Sequence, residues 1–516
     1  MNILLIHPSK KVLDKKDDLH GRESLTPSLG LAALAAYLRE KGVEVKIIDL
    51  RLPHRTMNDV FQAMEELNPT FIGITAFTNE ISAAGEVARQ IKAHHPNAFV
   101  VIGGPHVSTI PLETLREFES FDVGVVGEGE ETAFELLEAF MGRDLTAISG
   151  LVLRRGGEIF LTAPRKPLKD LNQLPFPAWD LFEIESYSPI FLVSTSRGCP
   201  YPCYFCNPRY LGQKTRIRHF LNVVDEIEIL VKRFGAKRIQ FADATLSLLG
   251  RATSQMCDEL IRRGLHRSIA WDCETRADSI DEPLLKKMKE AGCEWIALGV
   301  ETGSERILRD IVKKGETREE IREAVRLAKR AGIKVRCFFI LGHYTETVET
   351  IRETISFAKE LNPDALSFGL MVPNPGSEIR VLAEEGKGGL RLLHSRWGEY
   401  NQFHYSCFES QALPLEELKK WQSIAYFSFY ASHPLKALRL FLDQSAYNYT
   451  LKSLLTIPWS LARNLFTLTP SLSLENSGMD RGCPPPSPLA GEGRDGGKDR
   501  NTPHLYPPPQ GWRKLS

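Results

Sequence analysis

Arg197-Gly198-Cys199-Pro200-Tyr201-Pro202-Cys203-Tyr204-Phe205-Cys206 gathers three thiols into one tight loop directly behind the apolar run Phe191-Leu192-Val193. That run is the first of six that alternate with amphipathic segments. The others are Arg238-Ile239-Gln240-Phe241, Ile269-Ala270-Trp271-Asp272, Trp295-Ile296-Ala297-Leu298, Val335-Arg336-Cys337-Phe338-Phe339 and Ala365-Leu366-Ser367-Phe368. Such alternation predicts βα units, and six of them predict a partial or complete parallel barrel over residues 191–380. Barrel active sites lie at the carboxyl ends of the strands, which is where the cysteine loop falls.

Thiolates are the soft ligands that iron-sulfur clusters take, and a four-iron cubane held by only three of them keeps one iron open. Zinc or a chance clustering of cysteines is the alternative, but zinc closes with four ligands and no local fourth Cys or His completes a knuckle. The loop therefore predicts a redox-active [4Fe-4S] cluster on Cys199, Cys203 and Cys206. Nine cysteines in 516 residues are too few and too uneven for a disulfide framework, which predicts a reducing, cytoplasmic setting.

Outward toward the N-terminus, residues 1–150 carry the runs Ile3-Leu4-Leu5-Ile6, Val45-Lys46-Ile47-Ile48, Phe71-Ile72-Gly73-Ile74, Phe99-Val100-Val101-Ile102 and Val123-Gly124-Val125-Val126. Helical patterns such as Leu29 to Lys41 and Ile81 to His94 separate them. Continuous apolar strands between helices predict a doubly wound, Rossmann-like α/β domain. Its ligand edge is the carboxyl edge of the sheet, where Gly103-Gly104-Pro105-His106 and Gly127-Glu128-Gly129-Glu130 fall. Residues 151–190, with Pro164, Pro167, Pro175 and Pro177, read as a small extension and a linker. Residues 381–476 read as a mostly helical C-terminal region with Leu415 to Tyr430 strongest. Residues 477–516 are Pro/Gly-rich low complexity, expected to be disordered and similar to readthrough of a non-coding repeat.

The 65 basic and 65 acidic side chains balance, which argues against nucleic acid or an anionic membrane as partner. The N-terminus lacks the basic and small-residue flanks of a signal peptide, and no run is long enough to span a bilayer. Leu451 to Trp459 and Leu461 to Leu468 are amphipathic, open to weak peripheral membrane association or to a helix packed on the barrel.

The spacing C-x3-C-x-aromatic-C after the first strand of a βα array resembles the radical S-adenosylmethionine (SAM) superfamily. That resemblance implies that the open iron chelates SAM and that an external reductant, such as flavodoxin or ferredoxin, drives its cleavage to a 5′-deoxyadenosyl radical. It also implies that Phe205 packs near the adenine. Cys273-Glu274-Thr275-Arg276-Ala277-Asp278, Gly299-Val300-Glu301-Thr302-Gly303-Ser304 and Pro373-Asn374-Pro375-Gly376 are similar to segments of the cobalamin-binding branch. There Arg276 pairs with the SAM carboxylate and Glu301 accepts from its ribose or amino group, against the alternative of a structural ion pair. Asp243 touches SAM or substrate, or else caps the turn ahead of Thr245.

With Pro27-Ser28-Leu29-Gly30-Leu31 and the two glycine turns, the first domain resembles the cobalamin-binding domain of that branch. Gly103, Gly104, Gly127 and Gly129 would let backbone approach the corrin, with His106 lining or capping the site. Asp18-Leu19-His20-Gly21-Arg22-Glu23 only approximates the Asp-x-His-x-x-Gly motif of cobalamin mutases, so His20 is not expected to ligate cobalt. Where the family has Gly-x-Pro-Gly-Glu-Thr, this chain reads Gly342-His343-Tyr344-Thr345-Glu346-Thr347. That turn is expected to be solvated, the other reading being that His343 or Tyr344 faces the pocket. The resemblance implies methylation of an unactivated carbon of a small-molecule or lipid substrate. Oxidative cyclisation or rearrangement is the alternative within the family, and a non-catalytic cobalamin sensor or carrier the alternative outside it.

Overall fold

A computed structural model describes residues 1–13, 25–142, 144–207, 211–394, 396–400 and 407–436. The N-terminal apolar runs form β1 (Asn2–His7), β2 (Glu44–Asp49), β3 (Phe71–Thr75), β4 (Val100–Gly103) and β5 (Val123–Val125). These pair in parallel in the order β2-β1-β3-β4-β5. Both faces are covered by helices, which is why the strands are apolar throughout rather than alternating. Strand order reverses between β1 and β3, and a doubly wound sheet opens its ligand crevice at that point, outside the carboxyl ends of the strands.

The sheet does not stop at residue 150. β6 (Leu151–Arg155) and β7 (Glu158–Leu161) add to it as an antiparallel hairpin on β5. Gly156 and Gly157 join them at φ of 60° and 87°, the two positive dihedrals that a tight hairpin turn needs. After the proline-rich stretch, Ala178 N–H donates to the Ala32 carbonyl at 2.9 Å, and Trp179 meets Phe191 edge-on at 5.7 Å. The linker thus packs the first domain's helix Leu29–Glu40 against the start of the second domain.

There, β8 (Ile190–Val193) leads into a short antiparallel ribbon of β9 (Ser196–Arg197) and β10 (Arg216–Ile217). The ribbon closes the base of the cysteine loop. Then follow β11 (Arg238–Phe241), β12 (Ala270–Thr275), β13 (Cys293–Glu301), β14 (Lys334–Leu341) and β15 (Ala365–Leu370). The six-stranded sheet runs β15-β14-β13-β12-β11-β8, with every pairing parallel and β8 and β15 at its two ends. It is a partial (β/α)6 barrel.

An unpaired edge strand invites the wrong partner, and the C-terminal region covers this one. Helix Leu415–Ser432 lies along β15, where Phe368 N–H donates to the Tyr426 hydroxyl at 3.0 Å and Gln422 Nε2 donates to the Phe368 carbonyl at 2.7 Å. Two further strands, β16 (Leu390–Leu392) and β17 (Phe408–Ser410), pair antiparallel within the region expected to be helical. Three residues each are too short to display a period of two. Among the described residues no helix is long and apolar enough to cross a membrane. Asp18 to Glu23 with His20, the amphipathic stretch 451–468 and the tail 477–516 lie outside the described residues.

Candidate functional site

The cysteine loop leaves the carboxyl end of β8 through Ser194 and Thr195. Asp243, at the end of β11, accepts from Thr195 N–H at 3.0 Å, from the Thr195 hydroxyl at 2.9 Å and from the Ser196 hydroxyl at 2.5 Å. Its buried carboxylate is spent on the strand end that launches the loop, because a buried acid must satisfy its oxygens locally. Gly198 then turns at φ of 90°, and Cys199 N–H closes onto the Gly212 carbonyl at 3.3 Å.

Cys199, Cys203 and Cys206 are free thiols. Burial pushes the Cys203 thiol up to about 11, while Lys314 and Arg276 pull it down and Glu301 pushes it up. The other two thiols act electrostatically on Cys206 in the same way. Three mutually interacting thiols beside two cations fit an iron-sulfur cubane, since metal binding displaces thiol protons and the cations then favour the thiolates.

The strand-end charges behind the loop are more heavily committed than the sequence implied. Arg276 forks onto Asp278 at 2.9 and 2.5 Å and donates to the Lys314 carbonyl at 2.8 Å. Its Nη1 is left buried without a protein partner. Its guanidinium stacks 3.6 Å from the Tyr201 ring centre within the cysteine loop. Glu301 adopts φ of 67° and lies 3.5 Å from Lys314 Nζ, which also pairs with Glu316 at 2.9 Å and donates to the Gly299 carbonyl. Burial raises the Glu301 carboxyl, opposed by Lys314. Lys314 and Glu316 were missed: their loop follows β13 with no motif, and only the fold brings it under Cys203.

The turn expected to be solvated is buried. His343 is 2% exposed and Glu346 1%. Nδ1 of His343 lies 2.9 Å from the Tyr204 hydroxyl, which also accepts from Tyr344 N–H at 3.1 Å, and its Nε2 lies 3.3 Å from the Glu301 carbonyl. Tyr204, the first of the two residues between the second and third cysteines, therefore holds this turn inside. Burial lowers His343 to about 4, so it is neutral. Phe205 is half-buried, its ring 6.4 Å from that of His343.

Opposite lies the carboxyl edge of the first sheet. Gly104, at φ of 95°, turns where a Cβ would sit 2.9 Å from the Ala76 nitrogen, so only glycine fits. Around Gly103 and Gly129 there is space: the nearest atom to an added Cβ is 3.9 Å away at the first and 3.8 Å at the second. His106 is fully buried, 3.3 Å from the Thr78 hydroxyl and edge-on to Trp397 at 5.1 Å. It packs beneath Trp397. Desolvation lowers it to about 3, and its Nε2 has no protein partner. Gly127, at φ of 88°, donates its N–H to the Ser108 hydroxyl at 3.0 Å. Ser28 is an N-cap, accepting from Leu31 N–H. Small residues at the carboxyl ends of β4 and β5, with the buried His106 Nε2 left without a protein partner beside them, fit a large planar cofactor. The edge and the loop touch: an added Cβ on Gly376 would reach Thr109 of the Gly104 helix at 2.6 Å and crowd Asn207, next to Cys206.

Residues 17–137 match the B12 binding domain and residues 193–358 the Radical SAM superfamily. An uncharacterized methyltransferase of Pyrococcus horikoshii is 35% identical over 410 residues, spanning 78% of this chain and 88% of the relative. The chain belongs to the cobalamin-binding radical SAM family. It is an enzyme, and the family's cofactors are cobalamin, SAM and a [4Fe-4S] cluster. Another relative, the anaerobic magnesium-protoporphyrin IX monomethyl ester cyclase of Rubrivivax gelatinosus, is 31% identical over 393 residues, 73% of this chain and 69% of the relative. The radical SAM methyltransferase TsrM of Kitasatospora setae, solved with tryptophan and a SAM analogue, shares the fold at a TM-score of 0.67 and 22% identity, over 84% of this chain and 88% of that one.

Proposed function

We propose that this radical SAM enzyme methylates an unactivated carbon of a small-molecule substrate. The observation that carries the reading is the contact between the cysteine loop and the glycine-turn edge of the first sheet, through Asn207, Gly376 and Thr109. When bound, the cluster and the corrin supply reductive cleavage of SAM and donation of a methyl group. Cys199, Cys203 and Cys206 would hold the cluster, and Phe205 would offer the adenine an aromatic face. Arg276 Nη1, the nitrogen of that guanidinium without a protein partner, is available to an anionic ligand. Gly103, Gly104, Gly127 and Gly129 keep side chains clear of the corrin. Buried His343 and Glu301 exclude water from the strand ends. Electrons come from a small reductant such as flavodoxin or ferredoxin.

A second reading, oxidative ring formation without methyl transfer, is favoured by the likeness to the cyclase. Anaerobic turnover with methyl-labelled SAM separates the two. Label in the product supports methylation, while turnover that consumes SAM and leaves the product unlabelled removes it.

A further inference from the structure

Gly127-Glu128-Gly129-Glu130 was read as a turn for cofactor approach, but its two acids point the chain elsewhere. Glu130 Oε1 lies 2.7 Å from Nη2 of Arg197, and Glu128 Oε1 lies 3.2 Å from Nη1 of the same guanidinium. Glu128 Oε2 also accepts from Arg216 Nη1 at 2.9 Å and from Leu168 N–H at 2.8 Å. The four side chains retain only 5, 7, 19 and 14% of their exposure for Glu128, Glu130, Arg197 and Arg216. Water therefore does little of the screening.

The arginines are not placed at random. Arg197 and Arg216 sit directly opposite one another on the β9–β10 ribbon, the base of the cysteine loop. Like charges in that register drive a ribbon apart. Here the Glu128 carboxylate of the first domain bridges both guanidiniums and Glu130 adds a second acceptor to Arg197, so the first domain's turn offsets the repulsion that would open the ribbon. On its other side the same turn is tied to the glycine helix, Gly127 N–H donating to Ser108 Oγ at 3.0 Å and Ser108 Oγ to the Gly104 carbonyl at 2.8 Å. One hydrogen-bonded chain thus runs from Gly104, through Ser108, Gly127 and the two glutamates, to Arg197, two residues before Cys199.

We propose that Glu128 and Glu130 are positioning residues that couple a ligand at the first domain's glycine turns to the cysteine loop through Arg197 and Arg216. The proposal rests on the reading of the two sites given above. A corrin that orders the Gly127–Glu130 turn sets the ribbon in register, and by linkage the loop's own ligand sets the turn.

The test uses the full chain, anaerobically reconstituted with iron and sulfide, with and without hydroxocobalamin. Two quantities are read: the SAM dissociation constant by equilibrium dialysis, and the EPR line shape of the reduced cluster. In the natural protein hydroxocobalamin should tighten SAM by about fivefold or more and change the line shape. Glu130→Gln should bring the ratio of the two dissociation constants to about one at unaltered iron content, and Arg197→Lys, which keeps the charge and loses the fork, should reduce it. Glu130→Asp should restore part of the ratio, and it is read in the same way if Glu130→Gln does not take up iron. A purely structural role would weaken SAM equally with and without hydroxocobalamin and leave the ratio unmoved, which overturns the proposal. A ratio of one in the natural protein overturns it as well. Failure to take up iron or corrin at all would instead sink the proposed function.

Discussion

The Tyr204 hydroxyl lies 2.9 Å from Nδ1 of His343, so the cysteine loop and the turn after β14 are joined through a buried phenol. The same oxygen accepts from Tyr344 N–H. Removing it takes a partner from buried His343 Nδ1 and from the half-buried Tyr344 N–H, at a cost of about 1–3 kcal/mol. Tyr204→Phe should therefore lower the unfolding free energy by about that amount and speed loss of the cluster's visible absorbance in denaturant. An unchanged denaturation midpoint would show that the turn holds without the phenol.

Thr345 stands at φ of 59°, in the left-handed region, where the family pattern has glycine. A β-branched residue there is strained. Arg306 braces it, donating to its hydroxyl at 2.9 Å and to its carbonyl at 2.8 Å. Asparagine tolerates this conformation and can still accept from Arg306, without glycine's added freedom in the unfolded chain. Thr345→Asn should raise stability by about 0.5–1 kcal/mol, read as a higher thermal midpoint. A lower midpoint would mean that the threonine is favoured where it stands.

Much of this arrangement was legible in the sequence, and what was not has one physical cause. The strands are continuous apolar runs and the cysteines are local, so β1 to β5, the six-stranded sheet and the loop at the end of β8 follow from spacing alone. Glu130 and Arg197, by contrast, are separated by 67 residues, and Tyr204 and His343 by 139. A polar group reads as solvated until topology supplies its partner, which is why His343 was expected at the surface. The hairpin β6–β7 did carry a local signal, Gly156-Gly157 between apolar runs, that the neighbouring prolines obscured.

Burial raises the Glu346 carboxyl to about 8, opposed by N–H donation from Gly342 and His343. A folded value above the unfolded one means that the native state holds the proton more tightly. This group's contribution is then fully present below about pH 4.5, falls as pH rises, and is lost beyond about 8. Glutamine keeps an acceptor for both N–H groups and cannot ionise. Thermal midpoints of Glu346→Gln and the natural protein should lie close at pH 5 and diverge in favour of the variant by pH 9. Parallel profiles would show that the carboxyl titrates as it does in water.

Gly198 carries the sharpest requirement in the cysteine loop. Its φ of 90° places an added Cβ 2.5 Å from the Lys214 carbonyl oxygen, 2.8 Å from that of Gly212 and 3.2 Å from that of Leu211. Backbone oxygens on the far side of a closed ribbon cannot move aside singly, because Cys199 N–H is bonded to one of them and Arg216 Nη2 to another. Gly198→Ala must therefore open the base of the loop, and the three thiols lose their common geometry while the two large sheets, built on cores elsewhere, persist. Far-UV circular dichroism should be unchanged while iron and sulfide per chain after anaerobic reconstitution fall severalfold. A variant that loads iron like the natural protein would show that the cysteines alone, without this closed turn before them, suffice to seat the cluster.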